Sequence, residues 1–146
     1  ANDFIQFSEK DKIDVIPFGS EILGKWSTNN GSETSDILKK IHELKPTGAT
    51  ALYPAATQAV TLLANENQED YNLSVVLMTD GQGNIGSYYD LYSVYTRYNK
   101  QIPIYSIMFG SADERQLEDM ANLTNAKIFD GKTDLVKAFK EVRDYN

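Results

Sequence analysis

Two short segments of the chain carry oxygen atoms that could hold a metal ion. Thr50 lies in a loop before an apolar helical pattern, and Asp80 follows closely on the apolar run at residues 73–78. An apolar run without alternation is typical of a strand buried on both faces of a parallel sheet. Ligands of open α/β sheets bind outside the carboxyl ends of such strands. A hydroxyl and a carboxylate brought together there are hard ligands, which suit Mg²⁺, Mn²⁺ or Ca²⁺.

Thr50 and Asp80 each have a structural explanation as well. Thr50 could cap a helix that begins at Leu52, and Asp80-Gly81 is a dipeptide typical of turns. Either explanation suffices for one residue alone. The two residues together, with Gly48 close to Thr50 and Asp80 at a strand end, favour a site.

Hydrophobic periodicity and turn residues predict the elements that position these segments. Strands are expected at residues 13–18, 22–26, 73–79, 102–109 and 126–130. Helices are expected at residues 36–44, 52–64, 87–99, 113–123 and 134–145, and residues 1–8 are expected to be the last turns of a further helix.

The order of these elements predicts a three-layer α/β sandwich that forms one domain over residues 1–146. The short connection after the first strand makes the second strand antiparallel, at an edge of the sheet. The helices between the later strands require parallel crossovers. We therefore expect a mostly parallel central sheet with one antiparallel edge strand.

Composition narrows the range of partners. The chain has 146 residues and no cysteine, which excludes disulfides and thiolate metal sites. Its formal net charge of -7 disfavours nucleic acid and anionic membrane surfaces, and suits cations or basic partners. No apolar run reaches the roughly 20 residues of a membrane span, so membrane insertion is not expected.

The residue patterns of common enzymes are missing. The sequence contains no Gly-x-Ser-x-Gly nucleophile elbow and no Asp-x-Asp strand end, and its single histidine, His42, falls on a predicted helix surface. Lys12 and Asp14 do not supply the paired acids of a phosphoacceptor domain. We therefore expect a binding module rather than an enzyme.

The segment Gly81-Gln-Gly83-Asn-Ile-Gly86 matches the G-x-G-x-x-G pattern of dinucleotide-binding loops and lies between a predicted strand and a predicted helix. The carboxylate of Asp80 would face the pyrophosphate, and the next strand ends without an acid for the ribose. We expect instead a flexible loop that shapes the edge of the ligand site.

Four segments together resemble the von Willebrand factor type A domain, which occurs in integrin inserted domains and many bacterial surface proteins. The resemblance covers nearly the whole chain, with the segments in the family's order and spacing. The segments are Ile16-Pro-Phe18-Gly-Ser20, Gly48-Ala-Thr50-Ala-Leu52, Val76-Leu-Met-Thr-Asp80-Gly81 and Ile104-Tyr-Ser-Ile-Met-Phe-Gly110.

The resemblance implies a metal-ion-dependent adhesion site at the carboxyl end of the sheet. Thr50 and Asp80 would bind Mg²⁺, or Mn²⁺ or Ca²⁺, directly or through water, and an acidic side chain of a protein ligand would complete the coordination. The edge of that site would include the residues Ser20, Gly48, Gly81 and Asn84. An extracellular or bacterial cell-surface setting is implied as well.

The sequence departs from the family in one respect. The family's first central strand ends in Asp-x-Ser-x-Ser, which supplies the main metal ligands, and this pattern is absent here. We therefore expect an N-terminally truncated domain in which metal binding is weak or lost. A metal-independent scaffold domain of a larger protein is the alternative function.

The family's first central strand, which is missing from this sequence, should lie between the strands expected at residues 13–18 and 73–79. Its absence would expose two sheet edges, which favours self-association. Either these two strands pair directly, or a second molecule fills the gap, or the segment belongs to a longer parent protein, which we favour.

A row of tyrosines at helical spacing consists of Tyr88, Tyr92, Tyr95 and Tyr98, with Tyr89 beside it. Such a stripe usually packs on the sheet, and we expect the hydroxyls to reach the edge of the site. A partner-binding surface is the alternative.

Overall fold

A computed structural model describes residues 9–10, 12–43, 49–66, 71–79, 82–99, 101–108, 110 and 112–131. The helices predicted at residues 1–8 and 134–145 lie outside the described residues. The described strands are β1 (Ile13–Val15), β2 (Trp26–Thr28), β3 (Val75–Thr79), β4 (Ile104–Met108) and β5 (Ile128–Asp130). The described helices are α1 (Ser35–His42), α2 (Leu52–Ala64), α3 (Tyr88–Tyr98) and α4 (Glu114–Thr124).

The described strands form two sheets. Strands β3, β4 and β5 pair in that order and in parallel, with Val75 opposite Ile104 and Ser106 opposite Ile128. Strands β1 and β2 form a separate antiparallel hairpin, with Val15 opposite Trp26. The predicted α/β class, with parallel strands and an antiparallel strand, is therefore confirmed.

The parallel sheet carries α2, α3 and α4 as one layer. Helix α3 contacts both neighbours, α2 packs on β3, and α4 packs on β4 and β5. The core fills the space between this layer and the sheet. Its central side chains are buried and apolar, and they include Leu52, Val60, Leu77, Leu91, Ile104, Leu117 and Met120. None of the helices in the described part of the chain has the length and apolar character needed to cross a membrane.

Direct pairing of the first strand with the central strand, one of the three arrangements considered above, is not found. Strand β1 pairs with β2 and strand β3 with β4, and no described strand lies between the two sheets. On the sheet face opposite the helix layer, Val76 of β3 is 42% exposed, whereas its neighbour Tyr105 in β4 is buried. This face of the parallel sheet is therefore exposed to solvent at β3.

The second strand was predicted too early in the chain. It forms at Trp26–Thr28 rather than at residues 22–26, and Ile22 makes only an isolated bridge to Phe18. The residues between the strands form a tight loop in which Leu23 N–H donates to the Pro17 carbonyl at 2.9 Å. Because Pro17 has no N–H to offer, the ladder stops before it and resumes only after the loop.

The ends of α3 and α4 follow the predicted capping residues. Ser87 and Asp90 form a capping box at the start of α3, and the Asp113 side chain accepts a hydrogen bond from Arg115 N–H at the start of α4. Both helices end at an asparagine with left-handed backbone, Asn99 and Asn125. Local sequence therefore sets these boundaries.

The tyrosine row divides into two groups. Tyr88, Tyr95 and Tyr98 pack against the core, as predicted, while Tyr92 and its neighbour Tyr89 are exposed. The hydroxyl of Tyr95 accepts a hydrogen bond from Ile102 N–H at 3.2 Å, just before β4 begins. That end of the sheet is opposite the predicted site, so the expected direction of this hydroxyl was wrong.

The replacement Ser106→Ala is expected to stabilise the domain by about 1 kcal/mol. Ser106 is fully buried in β4, and its hydroxyl has no hydrogen-bond partner among the described residues. Alanine removes the cost of burying that hydroxyl and keeps the small side chain that the core accommodates. Urea unfolding monitored by circular dichroism measures the change. A lower free energy of unfolding would mean that the hydroxyl has a partner, such as a buried water.

Candidate ligand-binding rim

Three loops meet at the carboxyl end of the sheet, and we refer to residues 17–23, 49–51 and 82–87 together as the rim. The first loop is joined to the second by Ala51 N–H, which donates to the Gly19 carbonyl at 2.6 Å. The first loop follows β1, and the third leads into α3. Backbone contacts between segments distant in sequence therefore build this surface.

Thr50 and Asn84 hold the second and third loops together. Thr50 N–H donates to the Asn84 side-chain oxygen at 2.9 Å, and Asn84 N–H donates to the Thr50 carbonyl at 3.1 Å. Both hydrogen bonds use backbone atoms of Thr50, so its side-chain hydroxyl is not consumed by them. Asn84 remains exposed at the surface.

The amino end of α2 lies at the rim and has no side-chain cap. The residue that precedes the helix is Ala51, no side chain makes a capping hydrogen bond, and the first turn contains no acidic residue. The structural explanation of Thr50 as a helix cap is therefore wrong. The dipole of such an amino end favours negatively charged groups nearby, while Leu52 and Tyr53 are buried and Pro54 has no N–H.

The third loop is held closely against α2 and α4. Gly83 N–H donates to the Gln116 side-chain oxygen at 2.8 Å, and the Gln116 amide donates back to the Gly83 carbonyl at 2.7 Å. A Cβ atom on Gly83 would lie 2.7 Å from Leu52 Cβ, and one on Gly86 would lie 2.8 Å from Pro54 Cδ.

Close packing against α2 is enough to explain why Gly83 and Gly86 of the dinucleotide-like pattern are glycines. Gly86 also has a φ of +77°, which other residues rarely adopt. The loop is bound to its neighbours on both sides, so the prediction of a flexible loop does not describe residues 82–86. The prediction that the loop shapes the edge of the site agrees with its position.

The structure brings together three of the six residues predicted for the site. Thr50 and Asn84 are in contact, and Ser20 is adjacent to Gly19, which bonds to Ala51. Gly48, Asp80 and Gly81 lie outside the described residues. Gln116 was not predicted, because nothing in a single sequence pairs a helix residue with a glycine 33 positions away.

The described residues do not by themselves form a cation site. They contain no group of three or more histidine, cysteine or acidic side chains that could hold a metal ion. Thr50 offers one hydroxyl, and the Asn84 side-chain oxygen already accepts the Thr50 N–H. Because Mg²⁺ prefers six oxygen ligands, a cation at the rim needs ligands beyond the described residues.

The sequence matches the family model of the von Willebrand factor type A domain over residues 1–144. The chain belongs to this family. No curated protein matches the sequence of this von Willebrand factor type A domain. Domains of the family generally mediate protein interactions. The rim of this von Willebrand factor type A domain is therefore a candidate protein-binding surface.

Proposed function

We propose that this von Willebrand factor type A domain is a non-enzymatic module that binds a protein ligand at the rim through an acidic side chain of that ligand. The observation that carries the proposal is the convergence of Gly19, Ala51, Thr50 and Asn84, which joins three loops into one surface. A surface built by backbone hydrogen bonds is fixed in shape before a ligand arrives.

The chemistry at the start of α2 supports an acidic group as the ligand's contact. The helix has no capping side chain and no acid in its first turn, and the adjacent Thr50 hydroxyl makes no hydrogen bond with the described residues. A carboxylate can accept a hydrogen bond from the Thr50 hydroxyl and benefits from the dipole of the helix.

The complete form of the proposed binding site also includes a divalent cation. Thr50 and Asp80 would contribute oxygen ligands to Mg²⁺, Mn²⁺ or Ca²⁺, as the family resemblance implies. One hydroxyl and one carboxylate make an incomplete set, so we expect this chain to bind the cation weakly, with a Kd of about 1 mM. The cation would supply positive charge beside the ligand's carboxylate.

Calorimetric titration with MgCl₂ and MnCl₂ tests the cation site. We expect weak saturable binding that disappears in Asp80→Ala and weakens in Thr50→Val, since valine retains the backbone bonds to Asn84 but lacks the hydroxyl. Glu33→Ala is the matched control, because it removes an exposed carboxylate after β2, at the opposite end of the hairpin from the rim. Binding that survives in Asp80→Ala would place the cation elsewhere.

Acetate serves as a minimal probe for the ligand's carboxylate. In amide NMR spectra recorded with and without Mg²⁺, we expect shifts centred on Thr50, Ala51 and Asn84. Shifts scattered over the surface would contradict carboxylate recognition at the rim.

A scaffold domain that works without metal is the second candidate. The observation in its favour is that the sequence lacks the Asp-x-Ser-x-Ser pattern that supplies the main metal ligands of the family. The absence of a response to Mg²⁺, Mn²⁺ and acetate in the experiments above would favour this function over ligand binding.

A further inference from the structure

Two tyrosines near the start of α3 are unusually exposed for aromatic side chains. Tyr89 is 76% exposed and Tyr92 is 46% exposed. Both rings lie beside Tyr88, with centroids 5.8 Å and 6.1 Å from its centroid. Tyr88 itself packs against the core, so the group is a supported surface rather than a set of loose side chains. Exposed aromatic groups of this kind often mark binding surfaces.

Helix α4 packs on α3, and the charge of one of its carboxylates reaches Tyr88, the partly buried member of this aromatic group. Burial raises the pKa of Tyr88 and of Tyr53, and the nearby charge of Asp119 raises both pKa values further. Asp119 is exposed, and among the described residues no cation forms a salt bridge with it. Residues 113–119 contain four carboxylates and one guanidinium, so this stretch of the chain carries a negative net charge.

We propose that Tyr88, Tyr89, Tyr92 and Asp119, here called the tyrosine–aspartate surface, bind a short lysine- or arginine-containing segment of a partner protein. Aromatic faces attract the ammonium or guanidinium group, and the Asp119 carboxylate attracts the same charge. Tyrosine also contributes contact area at a low entropic cost, since its ring has few rotatable bonds. The exposed area of two tyrosines suits a short segment rather than a large domain interface.

The charge of this surface argues against two other occupants. Tyrosines can stack on nucleic acid bases, but the carboxylates of Asp119 and its neighbours on α4 would repel the phosphates. A second copy of the chain would place Asp119 near a like charge, because a twofold interface brings the same surface together. A basic protein segment avoids both penalties.

This proposal is independent of the ligand-binding rim. It uses α3 and α4, and it requires neither the Thr50 hydroxyl nor a cation. Removing the carboxylate of Asp80 should leave binding at the tyrosine–aspartate surface unchanged, whereas the rim proposal predicts that the cation site is lost in the same variant.

The experiment uses an octapeptide of glycine and serine that contains two arginines and one lysine. A matched peptide carries citrulline and norleucine in place of the basic residues. Amide NMR titration of the whole chain at 150 mM salt gives both the site and the Kd. We expect shifts at residues 88–92 and near Asp119 with the basic peptide and none with the neutral peptide.

Two variants test the contributing side chains. Tyr89→Ser combined with Tyr92→Ser, and separately Asp119→Asn, should each weaken the Kd about twofold to fivefold. Tyr71→Ser and Glu33→Gln are the controls, because they change an exposed tyrosine and an exposed carboxylate on other parts of the chain. Both controls should bind the peptide as the unaltered protein does.

Three outcomes would overturn the proposal. The first is equal binding by all variants, which would indicate diffuse attraction to an acidic protein. The second is tighter binding of an oligothymidine to the same residues, which would indicate a nucleic acid surface. The third is concentration-dependent dimerisation that Tyr89→Ser abolishes, which would indicate self-association through this surface.

Discussion

Replacement of Gly83 by alanine is expected to lower the free energy of unfolding by about 2–3 kcal/mol. The new Cβ would lie 2.7 Å from the Leu52 Cβ and 2.9 Å from the Leu52 Cδ2. Rotation of the Leu52 side chain moves Cδ2 but leaves Cβ in place, so the clash can be relieved only by shifting backbone. The loop must then move away from α2, and Gln116 loses its two hydrogen bonds to Gly83.

The same substitution should also disturb the rim. Thr50 and Asn84 are joined only while residues 82–86 lie against α2, so displacement of the loop breaks their hydrogen bonds. Faster hydrogen exchange of the Thr50 amide, measured by NMR, would report this directly. Gln82→Ala is the control, because Gln82 is exposed in the same loop. Unchanged stability together with unchanged exchange would contradict the close approach of Gly83 to α2.

The replacement Thr124→Val is expected to destabilise the domain by about 2 kcal/mol. The Thr124 side chain is buried between α4 and β4, where its hydroxyl donates to the Met120 carbonyl at 2.9 Å and accepts from Ile104 N–H at 3.0 Å. Valine preserves the shape but cannot accept a hydrogen bond. The buried Ile104 N–H is then left without a partner, and that desolvation cost dominates.

Urea unfolding of Thr124→Val should be compared with that of Thr61→Val. Thr61 also donates from its hydroxyl to the carbonyl four residues earlier, at 2.9 Å, but its hydroxyl accepts no hydrogen bond from a described residue. We expect Thr61→Val to lower the free energy of unfolding by less than about 0.5 kcal/mol, since the Thr57 carbonyl keeps its helical partner. An equal decrease in the free energy of unfolding for both variants would show that the hydrogen bond to Ile104 does not contribute to stability.

Much of the fold could be predicted because its signals are local. Helix α2 follows from a continuous apolar pattern, and α3 and α4 begin directly after Ser87 and Asp113, whose side chains cap them. The buried strands β3 and β4 follow from apolar runs. In the hairpin, Pro17 interrupts the ladder and a loop replaces the expected start of the second strand, which periodicity alone did not reveal.

The candidate site could be predicted only in part. Thr50, Asn84 and Ser20 were placed by family resemblance, and the structure brings their segments together. Gln116 and the close packing of Gly83 depend on contacts between segments 33 residues apart, for which a single sequence gives no sign. The tyrosine row was correctly predicted as helical, yet exposure of Tyr92 depends on how α3 lies between its neighbours.

The division of the strands into two sheets gives the protein a pair of separate optical reporters. Its single tryptophan, Trp26, lies in the hairpin, with the Lys40 ammonium 5.9 Å from the centroid of its ring. Helices α2, α3 and α4, which contain most of the helical residues in the described part of the chain, lie on the parallel sheet instead. Tryptophan emission therefore reports on the hairpin, and the ellipticity of α2, α3 and α4 reports on the other sheet. The cooperativity of the two sheets is thus measurable in the unlabelled protein.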